Sequence, residues 1–167
     1  MRLITAAFLT LSLTLPAWGG IMQKMNHSEK IKYVFNHLSS NNMSLVDEFY
    51  HPNVVFIDPI GSHVGMGSVK KYYEGLYKNV KFIKFDFSKI IEEKQTVVAI
   101  WKMTLLVDRL NGGKPIVVEG NSVITFHDND QVIYHRDYFD MGEFIYEKIP
   151  VFGFIIKKIK NQMKKQN

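Results

Sequence analysis

Four consecutive segments in the second half of the chain constrain the fold more than any other feature: KFIKFDFSKII (81–91), TVVAIWKMTLLVD (96–108), KPIVVEGNSVITFH (114–127) and QVIYHRDYFD (131–140). Each is rich in β-branched and aromatic residues, the composition of a half-buried strand. The links between them, EEKQ, RLNGG and DND, are short and either polar or glycine-bearing, which is turn chemistry. Strands joined by connections this short lie antiparallel beside one another, so the segments form a meander.

The first half reads differently. Ile31, Val34, Phe35 and Leu38 recur at helical spacing, with Ser28 as the expected N-cap. MSLVDEFY (43–50) reads as a short second helix capped by Ser44 and ended by His51-Pro52-Asn53. VVFID (54–58) is a strand closed by Pro59, and GSHVGMG is a turn. A third helix, from about Ser68 to Asn79, carries Val69, Tyr72, Tyr73, Leu76 and Tyr77 on its apolar stripe. This order gives an α+β fold, a strongly curved antiparallel sheet wrapped around three N-terminal helices. Such a sheet encloses an apolar cavity open at one end, where a small molecule would bind.

The two ends stand apart from this unit. Residues 1–20 have the parts of a cleavable secretory signal: Arg2, an apolar stretch from Leu3 to Leu15, and the small-residue site Ala17-Trp18-Gly19. Export to a periplasm or to the medium follows from that reading. The competing reading places the true start at Met22 or Met25 and the protein in the cytoplasm. At the other end, a tail over residues 146–167 forms a basic amphipathic helix, with Phe152, Ile155, Ile156, Ile159 and Met163 on one face. Residues 151–167 hold five lysines and no acid, whereas the rest of the chain balances sixteen basic against sixteen acidic residues. The net charge of +5 therefore belongs to the tail, and a nucleic-acid partner is not expected. The tail's expected partner is an anionic membrane surface, or else its apolar face packs on the domain or on a second copy.

Three local patterns carry a resemblance to a known family. VVFIDP resembles the strand end of ketosteroid isomerases, VITFHDNDQVIYHRDYF aligns without gaps with their last hairpin, and RDYFDMGEF resembles the end of limonene epoxide hydrolase. Residues 28–145 are on these grounds similar to the nuclear transport factor 2-like superfamily, which includes the SnoaL-like polyketide cyclases and has a cone-shaped fold that often forms homodimers. The resemblance implies Asp58 as a catalytic base, Asp137 as a catalytic acid, Tyr33 as the isomerase tyrosine, and Ser122 near the place of the isomerase's protonated aspartic acid. It also implies departures, because Met103 and Leu105 stand where the epoxide hydrolase has its arginine and aspartate.

The residues themselves sharpen these roles. Alternation along a strand puts His135, Asp137 and Phe139 on one face and Tyr134, Arg136 and Tyr138 on the other. His135 beside Asp137 is a carboxylate-oriented imidazole or a half-buried ion pair. Asp58 is either a partly desolvated base or the acceptor that starts a turn at Pro59. Phe56, Trp101, Met103, Ser122 and Phe139 are the expected ligand contacts. No histidine pair has metal-ligand spacing and no glycine loop matches a phosphate-binding motif, so neither a metal nor a cofactor is expected. Two functions stay open: an isomerase, hydrolase or cyclase using aspartate acid-base chemistry on an apolar oxygenated substrate, or a non-catalytic carrier of a hydrophobic ligand or lipid.

Overall fold

A computed structural model of the 167-residue chain describes residues 22–108 and 110–165. The expected signal segment, residues 1–20, lies outside the described residues.

Helix α1 (His27–His37) begins one residue before the expected cap. A capping box explains why: the Asn26 side chain accepts from the Glu29 N–H, and the Glu29 carboxylate accepts from the Asn26 N–H. The helix buries Ile31, Val34 and Phe35 against the sheet. Lys30, also buried, donates to Asp130 at 2.5 Å and so ties the helix to the turn before the last strand. Helix α2 (Ser44–Phe49) runs directly into strand β1 (Tyr50–Ile57), which starts four residues earlier than VVFID implied. Pro52 sits inside it without breaking the sheet, because the pairing with the neighbouring strand shifts between Tyr50 and Val55. Within GSHVGMG, read from sequence as a turn only, residues Ser62–Val64 form a short strand β2 paired with Val55–Ile57. Helix α3 (Met66–Tyr77) follows.

Strands β3 (Val80–Glu93), β4 (Thr96–Val107), β5 (Ile116–Phe126) and β6 (Val132–Phe139) are the expected meander, each antiparallel to the next. The six strands form one curved, unclosed sheet in the order β2-β1-β6-β5-β4-β3. Two details correct the sequence reading. The sheet is not antiparallel throughout, since β1 lies parallel to β6; only a long connection, here α3 and the whole meander, can place two strands that way. The three helices are not all N-terminal to the sheet, because the β1–β2 hairpin separates α2 from α3. Irregular register in β3 at Phe87/Lys89, and between β5 and β6 at Thr125/Phe126, bends the sheet around the helices.

Burial alternates along the central strands, interrupted in β5 only at Gly120 and Asn121. Val97, Ala99, Trp101, Met103 and Leu105 of β4 point inward, as do Ile116, Val118, Ser122, Ile124 and Phe126 of β5. After β6 the chain turns through helix α4 (Met141–Phe144), whose cap Asp140 accepts from the Gly142 and Glu143 N–H groups. A 3₁₀ turn (Tyr146–Lys148) leads into helix α5 (Pro150–Lys164).

Gly120 on β5 is required by packing. A Cβ there would stand 2.6 Å from the fixed Tyr138 carbonyl oxygen and would collide with the Trp101 ring. Gly120→Ala should therefore lower stability by about 1–3 kcal/mol, read as a shift of the urea midpoint at unchanged slope; an unaltered midpoint would contradict this packing requirement.

Candidate functional site

Between the concave face of the sheet and helices α1 and α3 lies a cavity of about 310 Å³. Its fully buried lining residues, among them Val34, Tyr50, Phe56 and His135, form the floor, and the exposed ones, Ile60, Leu76 and Asn79, mark the mouth. The walls are mostly apolar, with Phe85, Trp101, Met103, Leu105, Phe139 and Phe144 prominent.

Across this apolar floor runs one continuous line of polar groups. Trp101 Nε1–H donates to Ser122 Oγ at 2.9 Å, and Ser122 O–H donates to Asp137 Oδ1 at 2.5 Å. The same Oδ1 lies 2.9 Å from His135 Nε2, whose other nitrogen, Nδ1, is 2.7 Å from the Tyr50 hydroxyl. Tyr50 in turn meets the Tyr73 hydroxyl at 2.9 Å. One assignment of protons satisfies the whole line: His135 donates from Nε2 to the carboxylate and accepts at Nδ1 from Tyr50, which accepts from Tyr73. His135 is 1% exposed and has both nitrogens engaged, so only its ring face borders the cavity. Asp137 has both of its donors on Oδ1, and Oδ2 makes no hydrogen bond among the described residues. The carboxylate is thus held by one oxygen, and Asp137 lines the cavity.

A second acidic group sits nearer the mouth. Asp58 Oδ1 accepts from the Ile60 and Gly61 N–H groups, both at 2.8 Å, and Oδ2 accepts from the Tyr72 hydroxyl. Its bonds to Ile60 and Gly61 are those of the turn-starting acceptor, and the residue also borders the cavity with its second oxygen taken by Tyr72. Tyr72 is braced from behind by His63, stacked on it at 4.1 Å between ring centroids.

The profile of the SnoaL-like domain matches residues 31–135, more than half of the chain and nearly all of the cavity's framework. The chain belongs to the SnoaL-like domain family. Solved structures agree in fold. A candidate SnoaL-like polyketide cyclase from Jannaschia sp. CCS1 is 18% identical, with a TM-score of 0.60 over 70% of this chain and 90% of that one. An NTF2-like protein of unknown function from Burkholderia pseudomallei K96243 is 14% identical, with a TM-score of 0.60 over 71% and 95%. A protein with a ketosteroid isomerase-like fold from Catenulispora acidiphila DSM 44928, solved with trimethylamine, is 10% identical, with a TM-score of 0.59 over 68% and 84%. No functionally curated protein is similar enough in sequence to match.

Within this SnoaL-like domain the expected site residues fall into three groups. Asp58, Asp137, His135, Phe56, Trp101, Met103 and Phe139 all border the one cavity. Ser122 stands behind the wall, fully buried, and reaches the cavity only through its bond to Asp137. Tyr33, expected as the isomerase tyrosine, is not among the lining residues; it lies on the flank of α1, stacked on His37 at 4.2 Å. The reason is helical geometry, since the docked face of α1 is set by Ile31, Val34 and Phe35 and leaves Tyr33 to one side. The phenols that do enter the cavity are Tyr50, Tyr72, Tyr73 and Tyr77. For Tyr72, Tyr73 and Tyr77 the signal in the sequence is the apolar stripe of α3, which carries three hydroxyl-bearing aromatics where leucine or isoleucine would fill a plain core; Tyr50, on β1, has none.

Burial shifts the acidity of these four phenols. Desolvation is the largest cause for each and pushes all of them upward, with the Asp137 charge adding to the effect. They remain protonated donors wherever the fold survives. The sign of the linkage follows: a folded pKa above the unfolded value of 10.0 gives stability that is complete below that pH and is lost as the pH rises past it. Each such phenol should cost up to about 1.4 kcal/mol per pH unit above about pH 10. Melting temperatures should fall steeply there, and phenolate absorbance should show part of the eight tyrosines titrating only on unfolding. Free titration of all eight in the folded protein would contradict this burial.

Proposed function

We propose that the cavity binds an apolar small molecule bearing one or two oxygens, and that Asp137 moves a proton on it without a cofactor, as an isomerase or cyclase of the SnoaL-like kind. The observation that carries this reading is the carboxylate held at Oδ1 by Ser122 and His135, with Oδ2 free of hydrogen bonds among the described residues and Asp137 lining an apolar cavity. A base so held needs little reorganisation when a substrate arrives.

The chemistry then runs as proton abstraction beside a carbonyl. The C–H bond next to the carbonyl breaks, its proton passes to Asp137 Oδ2, and its electron pair forms an enolate. Tyr77, whose hydroxyl makes no hydrogen bond among the described residues, is the candidate donor to the enolate oxygen. Its raised pKa keeps it a donor rather than a base. Where a carbon–carbon double bond is conjugated with the enolate, return of the proton from Asp137 to the far end of that system gives an isomer; attack of the enolate carbon on a second carbonyl closes a ring, and the new alkoxide takes the proton back from Asp137. His135 is a positioning residue in this scheme, and Asp58 holds Tyr72 and the turn rather than serving as the base.

A second reading, a non-catalytic carrier, is favoured by Met103 and Leu105, which make apolar the part of the wall where the epoxide hydrolase resemblance implies a charged pair. Deuterium exchange separates the two. Small enolisable ketones such as β-tetralone and cyclohexenone, incubated in heavy water with the protein, should gain deuterium faster than with buffer. Asp137→Asn should reduce that gain by roughly 100- to 10,000-fold, whereas Asp58→Asn should leave most of it. Binding of the ketones with no protein-dependent exchange would support the carrier and sink the enzyme.

A further inference from the structure

The helix that closes the chain is docked with the wrong side inward for a core element. Val151, Phe152, Ile155, Ile159 and Met163 share an arc of roughly 120° on α5, by the 3.6-residue turn. Every one is exposed, from 47% for Ile155 to 69% for Val151. The side that touches the body lies outside that arc. Gly153 is buried against the 3₁₀ turn, where a Cβ would collide with the Glu147 carbonyl oxygen, and Lys160 forms an ion pair with the Glu147 carboxylate. An amphipathic helix whose apolar arc faces water has that arc free for a surface outside this chain.

Charge decides among the surfaces. Lys157, Lys158, Lys164 and Lys165 make no ion pair among the described residues, and Pro150–Lys164 contains no carboxylate. On the helical wheel Lys158 and Lys165 border one edge of the apolar arc and Lys160 the other. Two such helices packed face to face would set lysines against lysines with no acid between them. An anionic bilayer meets both halves of the pattern: apolar side chains enter the acyl boundary while flanking lysines reach the lipid phosphates. No described helix is long and apolar enough to cross a membrane, so the helix would lie in the plane of the surface.

We propose that α5 is a membrane-surface anchor, which docks the domain onto anionic lipid through Val151, Phe152, Ile155, Ile159 and Met163 with the surrounding lysines.

The test is co-sedimentation of the full chain with vesicles of phosphatidylcholine alone or containing one-third phosphatidylserine. The chain should bind the anionic vesicles, and added salt should weaken that binding. Lys158→Gln/Lys165→Gln, at the edge of the arc, should weaken it roughly 30-fold, by about 1 kcal/mol per lysine near the surface. Ile155→Asp/Ile159→Asp should abolish it. Residues 1–21 are the same in every variant, so differences report on α5 alone, and circular dichroism confirms that each variant keeps its fold. Variants that bind as well as the parent would overturn the proposal. So would a parent that ignores vesicles and elutes as a dimer that Ile155→Asp/Ile159→Asp splits, because the arc would then cover a second copy.

Discussion

Asp137 Oδ1 receives hydrogen bonds from two strands at once, from Ser122 on β5 and from His135 on its own strand β6, and the rest of the site is arranged around that point. A carboxylate on the floor of an apolar cavity is tolerable only when its neighbours satisfy it, and those neighbours must be satisfied in turn. Trp101 completes the line on one side, and Tyr50 with Tyr73 completes it on the other. The line fixes register as well. Ser122 faces Asp137 across β5 and β6, and Trp101 faces Gly120 across β4 and β5. A slip of one residue would turn every one of these side chains to the outer face. The vacancy at Gly120 is what lets the indole lie flat enough to reach Ser122.

What the sequence shows of this is the part governed by short-range periodicity. Strand alternation put His135, Asp137 and Phe139 on one face, the family resemblance implied that this face is the inner one, and the turn chemistry of EEKQ, RLNGG and DND foretold the meander. What it hides is set by long-range docking. Tyr50 reads only as the end of a short helix, yet its hydroxyl meets a histidine 85 residues away. Tyr33 has the right residue type on the right helix, but the angle at which α1 docks turns it aside. The parallel pairing of β1 with β6 is likewise invisible to local pattern, as is a strand that accommodates Pro52 by shifting register. Asp58 is the middle case: local turn chemistry foretold its bonds to the Ile60 and Gly61 N–H groups, whereas the Tyr72 hydroxyl on its other oxygen comes from the docking of α3.

The catalytic proposal and the anchor meet at one place in the chain. Phe144 and Ile145 line the cavity, and α5 begins at Pro150 immediately downstream. A helix lying on lipid would hold this side of the cavity close to the bilayer, where apolar oxygenated compounds concentrate. Each half stands without the other: the carboxylate's geometry does not depend on α5, and the exposed arc of α5 does not depend on what the cavity binds.

The orientation of the hydrogen-bond line is open to direct measurement by ¹⁵N NMR of the His135 ring in the ligand-free protein. The expected result is a proton on Nε2, donating to Asp137, with the Tyr50 hydroxyl beside Nδ1. A ring that carries its proton on Nδ1 instead would reverse the line, leave Asp137 without its second donor, and contradict the arrangement from which the base is argued.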